Sequence, residues 1–214
     1  MLDWLRENRD LLTLLISACT LLVWIFYAQL LLSSFKRQRR PRLVINRGAG
    51  KGVGSLCLLS NLSAEPIFIH QLIVRLHTSR GVLKADVTDV RESSEGNIDP
   101  GLELNKATRQ GPLRTGDFTH IGTFQGLIRR VATTHGLELK GLHPPEGWAF
   151  TGIEVCAVAY YGSDKQPIGV RRRFRLGPSE EHYCALIAES RQTEQLTSRR
   201  QRRLVRKHWM AELL

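Results

Sequence analysis

The stretch that decides the fold is Phe150–Leu176, which reads FTGIEVCAVAYYGSDKQPIGVRRRFRL. An apolar, β-rich run ends at Tyr161, the polar residues GSDKQP supply a turn, and IGVRRRFRL returns. Because side chains alternate along a strand, the returning run separates its apolar residues from its arginines. The apolar set is Ile168, Val170, Phe174 and Leu176, and the arginine set is Arg171, Arg173 and Arg175. The stretch therefore predicts a β-hairpin with one buried face and one basic face.

Upstream of this hairpin, the chain contains further short apolar runs that turn residues separate. RLVIN (42–46) and GSLCLL (54–59) predict a pair of strands, and IFIHQLIVRL (67–76) and GVLKADVTDV (81–90) predict two more. The apolar alternation changes phase at His70–Gln71, which predicts a β-bulge. The chain before the hairpin is thus expected to be strand-rich as well.

A helical period occurs at Phe124, Leu127, Ile128 and Val131, which predicts a short helix across 123–134. Residues 91–112 contain few large apolar side chains and predict a long loop. Many short strands and one short helix favour a mainly β fold, an antiparallel β-sandwich across residues 42–190. A domain of this length can bury a core without disulfides.

The glycine-rich stretch GAGKGVGS (48–55) lies between the first two predicted strands. A P-loop needs Gly-Lys-Ser/Thr and a following helix, whereas Lys51 is followed by Gly52 and a strand-like run. The glycine spacing also fails the G-x-G-x-x-G dinucleotide pattern. The stretch therefore predicts a turn and no phosphate site.

The segment 11–35 contains no charged residue and predicts one transmembrane helix. A helix rises about 1.5 Å per residue, so this segment covers a hydrocarbon core of about 30 Å with some tilt. Two basic and three acidic residues precede it, whereas seven basic residues and no acid occupy 36–51. The positive-inside rule then predicts that residues 1–10 lie outside the cell and residues 36–214 lie in the cytoplasm, at an inner or plasma membrane.

The basic juxtamembrane linker, residues 36–41, is expected to touch anionic headgroups together with the residue that follows it. The predicted contact residues are Lys36, Arg37, Arg39, Arg40 and Arg42. Between residues 52 and 190 basic and acidic residues balance at 15 each, and 191–214 again carry an excess of five positive charges. Basic residues concentrated in two segments favour local adhesion over a wholly basic nucleic-acid-binding fold.

The N-terminal segment has two other interpretations, a cleavable signal peptide and a lipid-anchored N-terminus. A cleavable signal peptide has a shorter apolar core, of about 7–15 residues. Ile16–Cys19 resembles a bacterial lipoprotein box, which would make Cys19 an acylated residue, but the chain stays apolar long after it. Thr13, Ser17 and Thr20 share one helix face and support only a weak hypothesis of homo-oligomerisation.

Residues 191–214 contain neither glycine nor proline and predict a basic C-terminal helix. Its basic block comprises Arg199, Arg200, Arg202, Arg203, Arg206 and Lys207, beside a stripe of Val205, Trp209 and Leu213. Three hypotheses follow: the helix lies on an anionic membrane, it binds nucleic acid, or it packs Val205, Trp209 and Leu213 on its own domain. Nucleic acid ranks last because no interleaved aromatic residues accompany the arginines.

No motif in the sequence indicates catalysis, a cofactor or a metal. The four cysteines are far apart without a CxxC pair, and the seven histidines lack metal-ligand spacing. We therefore expect a protein-binding adaptor with an unidentified protein partner, not an enzyme. The alternatives are a membrane-tethered nucleic-acid-binding protein and an enzyme whose site no motif marks.

Overall fold

The computed structural model describes residues 8–38, 40–90, 108–162, 164–177 and 184–210. The chain divides into two compact units, Met1–Arg40 and Pro41–Leu214. The first unit contains helix α1 (Arg9–Gln38). Within it, Arg9–Ser34 reaches a mean hydropathy of 2.2 and is long and apolar enough to cross a membrane. A signal sequence near the N-terminus meets the same criterion, so α1 is a candidate span.

Three hydroxyl groups of α1 are satisfied within the helix. Thr13, Ser17 and Thr20 each donate a 2.8 Å hydrogen bond to the carbonyl four residues earlier. An unpaired hydroxyl in hydrocarbon costs free energy, and this back-bonding removes that cost. The three residues therefore need no second helix as a hydrogen-bond partner, and homo-oligomerisation stays an untested prediction.

The second unit is mainly β, as the sequence predicts, and its described strand pairs are all antiparallel. Its strands are β1 (Leu43–Arg47), β2 (Leu56–Asn61), β3 (Ile67–Thr78), β4 (Gly81–Asp86), β5 (Gly111–Leu113), β6 (Phe118–Thr123), β7 (Phe150–Tyr161), β8 (Ile168–Gly177), β9 (Ala185–Ala188) and β10 (Glu194–Leu196). Helix α2 (Phe124–Thr134) follows β6, and α3 (Arg199–Leu204) continues as a π-helical turn, Val205–Trp209. We call α3 and this turn together the C-terminal helix.

The described strands form two sheets around one core. Sheet A has the order β1-β2-β6, and sheet B has the order β10-β8-β7-β3-β4, with β5 on β3 and β9 on β8. The buried faces of both sheets contribute to the same hydrophobic cluster, with Leu43 and Leu59 from sheet A and Val155 and Phe174 from sheet B. Phe124 of α2 joins them, with its ring centroid 4.9 Å from that of Phe174. Strand β7 is buried on both faces, because the C-terminal helix covers the outer side of sheet B.

The central hairpin and the bulge are confirmed. Strands β7 and β8 pair with Ile153 opposite Phe174, and the register of β3 against β7 shifts between Ile69 and Gln71. The helix predicted across 123–134 is confirmed as α2, with the Thr123 hydroxyl accepting a hydrogen bond from the Gly126 amide as an N-cap. The stretch 48–55 turns between β1 and β2 as predicted.

Several boundaries differ from the prediction. Strand β4 ends at Asp86 instead of continuing to residue 90, and β5 begins at Gly111 inside the predicted loop 91–112. Residues 91–107 of that loop lie outside the described part of the chain. The prediction that the helix extends over all of 191–214 is wrong, because residues 194–196 form β10 beside β8. The C-terminal helix begins at Arg199, where Ser198 and Gln201 form a capping box.

The strand ends divide the second unit into an entry end, where the chain arrives at Leu43, and a far end. Strands β1, β3, β6 and β8 begin at the entry end, and β2, β5, β7 and β10 finish there. The decisive register pairs are Leu43 with Asn61, Ile67 with Tyr161, and Gly169 with Leu196. The turn 48–55 lies at the far end.

Candidate binding surfaces

The C-terminal helix packs on the outer face of sheet B. Val205 and Trp209 are buried, with 1% and 7% of their surface exposed. Gly169 of β8 makes room for them, because a Cβ at this position would lie 2.6 Å from Val205 Cγ2 and 3.0 Å from Trp209 Cζ3. Of the three hypotheses for this helix, packing on its own domain describes the observed place of Val205 and Trp209, while Leu213 lies outside the described residues.

A buried polar group lies beneath Trp209. Arg75 forms a 3.0 Å ion pair with Glu154 and places its guanidinium 5.2 Å from the centre of the Trp209 ring. The Cys156 thiol donates a 3.4 Å hydrogen bond to the same Glu154 carboxylate. Burial, with Glu154 beside it, raises the pKa of Cys156 well above its ordinary value, so this thiol stays protonated and is a poor nucleophile. The group stabilises packing and offers no reactive centre.

The predicted basic residues of the C-terminal helix fall into two classes. Arg202 forms a 2.7 Å ion pair with Asp164 and donates a 2.9 Å hydrogen bond to the Thr197 carbonyl, so it joins the helix to the turn between β7 and β8. The others are exposed to solvent and comprise Arg199, Arg200, Arg203, Arg206 and Lys207. The helix therefore presents a basic outer face while its apolar stripe faces the sheet.

A polar cleft of ≈ 440 Å³ lies where the C-terminal helix begins, at the entry end. It is lined by Asp164, Lys165, Gln166, Thr197, Arg199, Arg202 and Arg203. Asp164 is paired with Arg202. The remaining charged residues of the cleft are all basic, namely Lys165, Arg199 and Arg203. Of the predicted juxtamembrane contacts, Arg42 is exposed at this end and Arg40 is exposed in the first unit. The side chains of Lys36, Arg37 and Arg39 are outside the described part of the chain.

Two adjoining cavities lie at the far end and share Val53, Leu142 and His143. The larger, ≈ 600 Å³, opens over the glycine-rich turn 49–55. The smaller, ≈ 470 Å³, is mainly apolar and is lined by Val53, Ile128, Leu142, His143, Pro144, Trp148, Ala149, Phe150, Leu176, Gly177 and Cys184. We call this pair of cavities the far-end cleft.

The edges of the far-end cleft are fixed by backbone and side-chain contacts. The Val53 amide donates to the Cys184 carbonyl at 3.3 Å, and the Gln125 amide donates to the Val53 carbonyl at 2.8 Å. Arg80 holds the opposite wall, because its Nε donates to the Gly147 carbonyl at 3.0 Å and its guanidinium lies 5.0 Å from the centre of the Trp148 ring. Burial raises the pKa of Cys184, so its thiol serves as apolar lining.

No pattern in the sequence predicts this cleft directly. Its walls come from four separate stretches, near residues 53, 128, 142–150 and 176–184, which only the folded chain brings together. The nearest sequence signal is the loop GLHPPEGWAF (141–150), which carries a tryptophan outside any periodic pattern. Loops with large apolar residues on a rigid scaffold are common binding elements.

Among the described residues, no group of three or more His, Cys, Asp or Glu side chains could hold a metal ion. The four cysteines are free, with Cys57 and Cys156 buried, Cys184 partly exposed and Cys19 exposed on α1. Burial raises the pKa of Cys57 to about 12, which keeps that thiol protonated as well.

Comparison with protein-family models, with curated proteins and with solved structures gave no match.

Proposed function

We propose that the chain is a single-pass membrane protein whose β-domain lies in the cytoplasm and binds a protein partner as an adaptor. The far-end cleft is the observation that carries the proposal. It is concave and mainly apolar, and it lies at the end of the domain opposite to the residue by which the chain arrives from α1. With α1 in the bilayer, the entry end would be held near the membrane, and the far end would be the accessible one.

The lining of the cleft fits an apolar side chain of a peptide segment. Trp148, Leu142 and Val53 supply apolar walls, and His143 at the junction of the two cavities adds a polar group that could fix orientation. Binding hot spots commonly consist of an aromatic anchor in a desolvated pocket, and Trp148 is already positioned by Arg80. The glycine-rich turn beside it lets a partner backbone approach closely.

The nucleic-acid alternative draws on the five exposed basic residues of the C-terminal helix. Phosphate contacts need only such charges, but sequence-tolerant binding of single strands also uses exposed aromatic rings. Trp209, the aromatic residue of this helix, is buried against Arg75. The nucleic-acid alternative therefore has less support than the adaptor, and no group among the described residues favours the enzyme alternative.

Site-specific photocrosslinking in cells tests the adaptor proposal. A photoreactive amino acid placed at Trp148 is expected to capture a discrete partner, whereas the same group at Leu204, exposed on the C-terminal helix, is not. Leu142→Asp should abolish the Trp148 crosslink by placing a charge in the cleft. Equal capture from both positions, or a Trp148 crosslink that Leu142→Asp leaves intact, would contradict the cleft as the partner site.

A further inference from the structure

Two large apolar side chains project into solvent at the entry end. Leu62 is 54% exposed and Phe118 is 67% exposed. Both lie next to the point where the chain enters the domain, because the Leu62 amide donates to the Arg42 carbonyl at 2.8 Å and the Asn61 amide donates to the Asp117 carbonyl at 2.9 Å. Phe118 begins β6 and Leu62 directly follows β2, and each leaves more than half of its surface in solvent.

Basic side chains are exposed at the same end of the domain. They are Arg42, Arg114, Lys165, Arg199 and Arg203. Among the described residues, the acidic ones at this end are Glu65, Asp117 and Asp164, of which Asp164 is paired with Arg202. The described part of the entry end therefore exposes more basic than acidic side chains, together with two apolar ones.

Hydrogen bonds join the neighbouring chain segments at the entry end. The Gly162 amide donates to the Pro66 carbonyl at 3.4 Å, the Gly116 amide donates to the Asn61 carbonyl at 2.9 Å, and Arg202 fixes the β7–β8 turn through Asp164. Asn61 is fully buried and joins two of these segments, since its Nδ2 donates to the Glu65 carbonyl at 3.1 Å and to the Leu113 carbonyl at 3.0 Å. These contacts join the segments that carry Leu62, Phe118 and Lys165 at the entry end.

Chain connectivity indicates what this surface meets. Leu43 follows Gln38 by five residues, and a peptide chain extends at most about 3.6 Å per residue. A linker this short cannot hold the entry end far from a bilayer that contains α1. Covalent attachment also raises the effective concentration of the bilayer, so individually weak contacts are sufficient.

We propose that the entry end is a docking surface for an anionic lipid bilayer. Leu62 and Phe118 enter the headgroup region, and Lys165, Arg199, Arg203 and Arg42 contact lipid phosphates around them, as in interfacial membrane-binding elements. This inference rests on the proposed membrane span. It assigns the C-terminal helix a membrane role through its first turn, and it leaves Trp209 in the fold. Docking orients the domain so that the far-end cleft points away from the lipid.

Hydrogen exchange of the full chain in lipid nanodiscs tests the proposal. Nanodiscs of phosphatidylcholine alone are compared with nanodiscs that also contain phosphatidylglycerol, and peptides covering 61–66 and 113–118 are followed by mass spectrometry. Slower exchange of these peptides in the anionic discs is expected, with unchanged exchange in the far-end turn 49–55. Equal exchange in the two lipid compositions would overturn the proposal.

A further arm separates a bilayer surface from a site for a free anion. Inorganic phosphate added to the neutral discs is expected to leave exchange at 61–66 and 113–118 unchanged. If phosphate alone reproduces the slowing, the entry end is an anion site and the bilayer proposal is wrong.

Matched charge reversals supply the control. The variant Lys165→Glu/Arg199→Glu/Arg203→Glu should lose the slowing, whereas Lys51→Glu/Lys140→Glu/Arg175→Glu, which makes the same charge change at exposed far-end positions, should keep it. Equal loss in both variants would show a general charge effect and overturn the proposal. Leu62→Ser/Phe118→Ser should weaken the slowing without any change in charge. Unchanged exchange in β3 and β7 verifies that each variant is folded.

The same preparation distinguishes the two proposals. A chain that fails to enter the discs contradicts the membrane span and, with it, the docking surface. A chain that enters the discs but shows no lipid-dependent exchange contradicts the docking surface alone.

Discussion

Gly169 shows how a single residue determines where the C-terminal helix lies. It is the second residue of β8, a strand position where an alanine is ordinarily no worse than glycine. Here its missing side chain leaves the space that Val205 and Trp209 fill. Trp209 in turn covers Arg75 and the carboxylate that pairs with it. The absence of a side chain at Gly169 therefore allows the C-terminal helix to pack closely on sheet B.

Gly169→Ala is expected to lower the free energy of unfolding by about 1–3 kcal/mol, because an added methyl group overpacks the contact with Val205. Gly54→Ala is the matched control, since a Cβ at Gly54 meets nothing within 4 Å. Denaturant unfolding of the full chain in detergent micelles measures both. Equal stability of the two variants would contradict the observed packing of the helix on β8.

His77 makes stability depend on pH. Burial lowers the pKa of His77 below its ordinary value of 6.5, and the nearby Arg173 lowers it further, while Glu154 and Glu189 oppose the shift. The unfolded chain therefore binds more protons at this position than the folded chain does just below pH 6.5. The free energy of unfolding should fall as the pH drops through this range.

His77→Gln removes this titration and should make the free energy of unfolding less dependent on pH between 6.5 and about 5, where the linkage acts. The measurement is denaturant unfolding of wild type and variant at a series of pH values. A variant that loses stability as steeply as the wild type over this range would show that His77 does not contribute.

At the scale of elements, the two sheets are joined at one corner by side chains instead of a continuous ladder. The Thr193 hydroxyl accepts from the Ile45 amide at 2.9 Å and donates to the Ile45 carbonyl at 3.2 Å. Gln195 does the same for Leu43, since its Oε1 accepts from the Leu43 amide at 3.3 Å and its Nε2 donates to the Leu43 carbonyl at 2.5 Å. These contacts occupy the free edge of β1, which would otherwise invite pairing with another chain.

Thr193→Val keeps the size of the side chain and removes its hydrogen bonds. It should lower the free energy of unfolding by about 1–3 kcal/mol, because the buried Ile45 amide is left without its partner. Thr115→Val, at an exposed turn position, should change it by less than about 0.5 kcal/mol. Thermal or denaturant unfolding of both variants checks this. Two variants of equal stability would mean that the corner is closed by other contacts.

The sequence predicted the elements whose periodicity is long. The β7–β8 hairpin joins a long apolar run in β7 to a strand, β8, whose apolar residues mostly alternate, and α2 repeats its apolar residues over three turns. Strands β5 and β10 have three residues each, too short for any period, and side-chain partners decide their place. Residues 191–214 have helix-favouring composition throughout, but pairing with β8 overrides it at β10.

The candidate surfaces were predictable only in part. The basic residues of the C-terminal helix are visible in the sequence, but the placement of Arg199 and Arg203 at the same end as Lys165, Leu62 and Phe118 depends on strand register. For Trp209, a bilayer and the outer face of a sheet are both apolar environments, so sequence alone could not choose between them. The far-end cleft joins distant stretches and left no local pattern.

At the scale of the whole molecule, we propose that α1 crosses a membrane and that the β-domain lies in the cytoplasm. In this arrangement its entry end meets lipid and its far-end cleft binds a partner. The charge asymmetry around 11–35 supports this orientation. A cleaved signal sequence or acylation at Cys19 would each place the domain differently.

Protease treatment of intact and permeabilised cells, followed by alkaline washing of the membranes, tests this claim most directly. If α1 spans the membrane, the chain remains in the washed membranes with residues 11–35 intact. Protease should remove the β-domain only after permeabilisation. A domain digested in intact cells, or a shorter chain released by the wash or beginning at Cys19, would contradict it.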